Sequence, residues 1–133
     1  MRIAFLTDIH GNIEALEAVI AAVEKLGIDK LVILGDLVGY GPDPVEVVER
    51  VGGLIDKGAI CIKGNHDHAA CTSGAGMTEN ARIAIEWTRG QLRGPHIDYL
   101  AALPMAVRDE DRLYVHASAF KPESWPYMRS VEA

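Results

Sequence analysis

The chain has 133 residues, 49% hydrophobic and 24% charged, the ordinary range for one globular domain with a packed core. Its formal net charge is −6 and its basic residues are scattered, which excludes the electrostatic footprint of sequence-independent nucleic-acid binding. Its two cysteines belong to no CxxC pair, excluding a disulfide framework or a zinc finger, and no apolar run is long enough for a signal peptide or a membrane span, so a cytoplasmic protein is expected.

Arg2 to Thr7 is a short apolar run ending in Asp8, followed by Ile13, Leu16, Ile20, Val23 and Leu26 at helical spacing before Gly27. Lys30 to Leu34 predicts a second strand, ended by Gly35-Asp36, and Pro42 and Pro44 punctuate the loop after it. A helix is predicted over Val45 to Lys57, weakened by Gly52 and Gly53. Ala59 to Ile62 predicts a third strand, ending in Gly64-Asn65-His66-Asp67. Three strands alternating with helices imply an α/β architecture with a parallel sheet. The small residues from Ala69 to Gly76 predict a loop, Thr78 to about Leu92 a helix, and His96 to Leu103 another short helix. Met105 to Arg108 and Leu113 to His116 pair as strands around the charged turn Asp109-Glu110-Asp111. After Ser118 no closing element is evident, so residues 1–133 read as a single domain incomplete at its C-terminus.

Three successive strands thus end in metal-capable residues, Asp8-x-His10, Gly35-Asp36 and Gly64-Asn65-His66-Asp67. In a parallel sheet those ends share one edge, where open α/β sheets bind ligands. Carboxylate and imidazole together suit manganese, iron, zinc or magnesium better than a thiolate-selecting ion. Singly, Asp8 and Asp36 could be turn or cap residues and His116 a hydrogen-bonded core residue. The tetrad is the most specific element, because a turn uses Gly and Asn but has no need of the His and Asp that follow. Trp87, spaced helically with Ile83, reads as core, and Cys61 as a small apolar strand residue. Tyr40 could face substrate; His68 and Cys71 read as loop residues, His96 as a helix start, and Arg108 to Arg112 as an exposed turn.

These residues resemble the calcineurin-like metallophosphoesterases, whose signature runs Asp-x-His, Gly-Asp, Gly-Asn-His-Asp/Glu, an isolated His after a strand, then Gly-His-x-His. The first four parts match Asp8-Ile9-His10, Gly35-Asp36, Gly64-Asn65-His66-Asp67 and His116. Gly39-Tyr40-Gly41-Pro42-Asp43-Pro44 and Val115-His116-Ala117-Ser118 are similar to the small bacterial and archaeal phosphodiesterase branch. The resemblance implies a four-layer αββα sandwich, of which this chain covers the first sheet with its helices and the start of the second. It implies that Asp8 and His10 bind one divalent ion, that Asp36 bridges, and that Asn65 and His116 bind the other. The pair would be manganese first, with iron, zinc, nickel or magnesium as alternatives, sharing a hydroxide that attacks a phosphoester. His66 would stabilise charge or protonate the leaving oxygen, with Asp67 orienting its ring.

Two departures stand out: position 39 is Gly where some members carry a second acid, and no Gly-His-x-His follows His116. The missing motif implies a fragment, or a site completed by another chain. The expected partner is a small phosphorylated substrate, with neither nucleic acid nor membrane, and an exposed strand edge near Met105 and Leu113 would favour a homo-oligomer. The rival of another class is a non-catalytic scaffold or binding protein of the same fold. A doubly wound nucleotide-binding module is disfavoured, since neither GxGxxG nor a P-loop follows the first strand.

Overall fold

A computed structural model describes residues 1–130. Strands β1 (Ile3–Leu6), β2 (Lys30–Ile33) and β3 (Ile60–Cys61) form a parallel sheet in that spatial order, with Ile3 opposite Lys30, Leu6 opposite Ile33 and Val32 opposite Ile60. Helix α1 (Ile13–Lys25) joins the first pair and α2 (Pro44–Ile55) the second, so all three strands run toward the same edge. Three further helices follow, α3 (Asn65–Cys71), α4 (Glu79–Gln91) and α5 (Gly94–Ala102). A separate antiparallel hairpin, β4 (Ala106–Asp109) and β5 (Arg112–Val115), forms a second sheet of two strands.

Local chemistry accounts for most of these boundaries. The Asn12 side chain accepts the Ala15 N–H and starts α1, which buries Leu16, Ile20 and Val23. Pro44 occupies the first turn of α2, where its missing N–H costs nothing, and Val47, Val48, Val51 and Leu54 face the core. The predicted weakness at Gly52 and Gly53 does not break α2. A Cβ at Gly52 would stand 3.6 Å from the Tyr99 hydroxyl, an ordinary van der Waals contact, so α5 packs over this position without requiring a glycine. Val32 and Ile33 of β2 are fully buried, as their continuous apolar run requires.

Three expectations are corrected. Residues Ala69 to Cys71 belong to α3 and not to a loop, because Asp67 accepts the Gly64 N–H at the helix start and Ala69 and Ala70 are buried where α3 packs against α4 and α5. Trp87 and Ile83 are not core: they are 47% and 52% exposed, and α4 instead buries Ala81, Ile85 and Thr88. The charged turn is not wholly solvated, since the Asp109 carboxylate pairs with the Lys30 ammonium and accepts the Tyr114 hydroxyl at 3.1 Å.

That ion pair helps attach the hairpin to the first sheet. The Lys63 N–H donates to the Pro104 carbonyl at 2.8 Å, and the Phe5 and Tyr114 rings meet edge-on with centroids 5.9 Å apart. Phe5 and Leu113 nevertheless stay 53% and 43% exposed. No helix among the described residues is long and apolar enough to cross a membrane.

Candidate metal centre

Backbone pairing continues beyond the strands and sets the site's frame. The N–H groups of Asp8, His10 and Gly11 donate to the carbonyls of Gly35, Asp36 and Leu37 at 3.1, 2.9 and 2.8 Å, which holds the first two loops side by side. Within this frame Asp8, His10 and Asp36 take φ values of 54°, 49° and 54°, the left-handed region that side chains other than glycine seldom occupy. Each such residue costs on the order of 1–3 kcal/mol, and strain of this kind collects where a structure fixes functional groups.

The third loop meets the second through two glycines. A Cβ at Gly35 would lie 2.4 Å from the Gly64 nitrogen, and one at Gly64 would lie 2.0 Å from Asp36 Oδ1. Gly64 has an extended backbone (φ −94°, ψ 172°) that any residue adopts, so its requirement is purely one of space. Gly64→Ala is therefore expected to displace Asp36, costing about 3 kcal/mol of stability in a urea titration. Divalent-ion affinity should also fall by about 10–100-fold, the scale of losing support for a ligand.

His10 and His116 reach the centre in the same way. His10 Nδ1 is 3.0 Å from the Val38 carbonyl oxygen and His116 Nδ1 is 2.6 Å from that of Leu34. A carbonyl only accepts, so Nδ1 carries the proton in both rings and the Nε2 lone pair is left for a ligand. His10 Nε2 lies 3.6 Å from Asp8 Oδ1 and 3.7 Å from Asp36 Oδ2. His116 Nε2 lies 3.5 Å from the same Asp36 oxygen and 3.1 Å from Asn65 Oδ1. Lone pairs of imidazole, amide and carboxylate thus point at one another, an arrangement that a cation between them relieves.

Two groups of ligand atoms meet this description, each with mutual separations within 4.8 Å: His10 with Asp36 and His66, and Asp8 with Asp36 and His116. Asp36 belongs to both. It is buried, and desolvation pushes its carboxyl above the usual carboxylate range, opposed chiefly by His116 and by the His66 N–H that it accepts at 2.9 Å.

His66 and Asp67 differ from the sequence expectation in detail. The His66 ring packs against both His10 and Tyr40, with centroids 4.7 and 4.8 Å away, and those two rings are 5.0 Å from each other. Its Nδ1 is buried without a hydrogen-bond partner, and a Cβ at Gly39 would stand 2.5 Å from that atom. The ring is thus held by packing, and Gly39 makes the room. Burial pushes the imidazole below its ordinary pKa, against the nearby Asp36 carboxylate. Asp67 does not orient this ring. Its carboxylate is fully buried and accepts the backbone N–H groups of Asp36, Leu37, Val38 and Gly64 at 2.8–3.3 Å, clamping the Asp36 loop to the start of α3. Burial and the Asp36 carboxylate push its pKa up to about 7, while those donors pull it down.

Sequence reasoning did not find the carbonyls of Leu34 and Val38 or the side chain of Trp125. No residue type signals a backbone acceptor, and Trp125 lies in a segment without periodicity. Its ring is 5.9 Å from that of His116.

A sequence profile of the calcineurin-like phosphoesterase family matches residues 1–129. The chain is 36% identical over 135 residues to the phosphodiesterase YfcE of Escherichia coli, covering 95% of this chain and 62% of that protein. It is 32% identical over 123 residues to a symmetrical bis(5'-nucleosyl)-tetraphosphatase of Klebsiella pneumoniae, with 89% and 43% covered. A metallophosphoesterase structure from Sphaerobacter thermophilus superposes with a TM-score of 0.76 at 40% identity, over 96% of this chain and 51% of that one. The chain spans about half the length of the relatives it matches. The profile match over residues 1–129, the α/β fold and these relatives together make the chain a member of the calcineurin-like phosphoesterase family.

Proposed function

We propose that this chain carries the catalytic face of a metal-dependent phosphoester hydrolase acting on a phosphodiester or another small phosphorylated compound. The observation that carries this reading is the shared Asp36: one buried carboxylate belongs to two three-residue ligand groups, the pattern of a site for two adjacent divalent ions. Such ions, when bound, activate water and offset the charge of a phosphoryl group in flight. Asp8, His10, Asp36, Asn65 and His116 are proposed as the ligands, and manganese as the first ion to try.

The protein's own part is to aim and hold. The Val38 and Leu34 carbonyls fix the tautomers of His10 and His116, and the Asp67 clamp fixes the loop that presents Asp36. His66, packed against both His10 and Tyr40, is proposed to donate a hydrogen bond to the leaving oxygen or, in its protonated form, a proton. Its place within the first ligand group also leaves it within reach of an ion. Names carried by the relatives, phosphodiesterase and dinucleoside tetraphosphatase, support phosphoester chemistry as the class.

The test is hydrolysis of bis(p-nitrophenyl) phosphate by the purified chain with added manganese, alongside a count of bound ions. Two ions per chain with turnover are expected. Ion binding without turnover of any phosphoester would favour the scaffold reading.

A further inference from the structure

We propose that the large cavity beside the metal centre holds an uncharged aromatic substituent of the phosphoester, a nucleoside or an aryl group, with Trp125 as its stacking face. This rests on the hydrolase reading above and names the substrate class for it. Two cavities, of about 590 and 280 Å³, flank Asn65, and both are lined by Asn65, Trp125 and Tyr127. The smaller lies against Asp8 and His116, and the larger reaches His66 and runs along α3 past His68. A phosphorus held at the metal centre would therefore have room for one ester arm on each side, the larger arm in a space of ordinary small-molecule size.

The walls decide what that arm is. Trp125 lines both cavities, its ring 5.9 Å from His116 and 6.0 Å from His68, and Tyr40, packed on His66, contributes a further aromatic wall to the larger one. Trp125 also has φ 51°, an outlier for a bulky side chain of the kind that collects at binding sites. Among the described residues no Lys or Arg side chain lines the larger cavity, whereas the Glu123 carboxylate does. Of the nearby cations, Arg89 donates to the Thr72 carbonyl and Arg129 lies over the Tyr127 ring. Aromatic walls with one carboxylate and no cation suit a flat neutral group bearing hydrogen-bond donors and repel a polyphosphate tail.

The test reads Trp125 emission in a Trp87→Phe chain, since Trp87 is on the outer face of α4 and away from the site. Adenosine and adenosine 5'-monophosphate are expected to quench it saturably without added metal, and ribose 5-phosphate and tripolyphosphate are expected not to. By isothermal titration calorimetry, Trp125→Ala should weaken adenosine 5'-monophosphate binding roughly tenfold or more, the scale for losing one stacked base, and Trp125→Phe should restore most of it. Equal or tighter binding of tripolyphosphate, or no saturable quenching into the millimolar range, would overturn the proposal. The readout needs no turnover, so the two readings fail separately. Diester hydrolysis without quenching removes only the pocket, and quenching without hydrolysis removes only the catalytic reading.

Discussion

Asp36→Asn is expected to lower bound manganese from two ions per chain to one or none and to cut diester turnover on the order of a thousandfold, the scale of removing one preorganised charge-stabilising group. Asn is the right replacement because position 36 has φ 54°, which Asn tolerates far better than most residues, and because its amide oxygen can still accept the His66 N–H. Alanine would mix backbone relaxation with lost ligation. The control is Asp8→Asn, at a residue that belongs to the group containing Asp36 and His116, and it should leave one ion on His10, Asp36 and His66. Metal analysis after gel filtration, with initial rates on the same samples, checks both. An Asp36→Asn protein that kept two ions and near-normal rates would sink the shared-ligand reading.

Asp67→Asn should act on stability before it acts on chemistry. The carboxylate accepts four backbone N–H groups, two on each oxygen, and an Asn side chain would turn an NH₂ group toward two of them. Leaving two buried amides without acceptors costs about 2–5 kcal/mol, enough to lower the thermal midpoint by about 10 °C. Ion affinity should fall with it, because the clamped loop carries Asp36. An unchanged midpoint in thermal unfolding would mean that Asp67 is protonated in the native state, where an amide is a fair mimic.

Much of the fold was readable because each signal was local. The apolar runs ending at Asp8, Asp36 and Asn65 mark three strands, and with them the edge on which the candidate ligands meet. The misses share a cause: the deciding partner lies far away in sequence. Nothing near Ala69 says that α4 and α5 will bury it, and nothing near Trp87 says that α4 will turn that face outward. The helical spacing of Ile83 and Trp87 fitted a buried stripe, but Ala81, Ile85 and Thr88 form that stripe instead. Of the site residues, geometry brings Asp8, His10, Asp36, Asn65, His66 and His116 together. Asp67 was found for its motif and assigned the wrong partner, because a carboxylate beside a histidine looks like its orienter until the backbone amides of residues 36–38 are seen to occupy it.

The second ligand group depends on a residue that arrives from the hairpin. His116 reaches Asp36 only once β5 lies against the first sheet, tied through Leu34, whereas His10, Asp36 and His66 all belong to the first half of the chain. During synthesis the ribosome therefore delivers the two groups in order. At the usual pace of about 5–20 residues per second, His116 is made several seconds after His66. An ion captured by the nascent chain in that interval would sit in the first group alone, its neighbour waiting for the hairpin to dock.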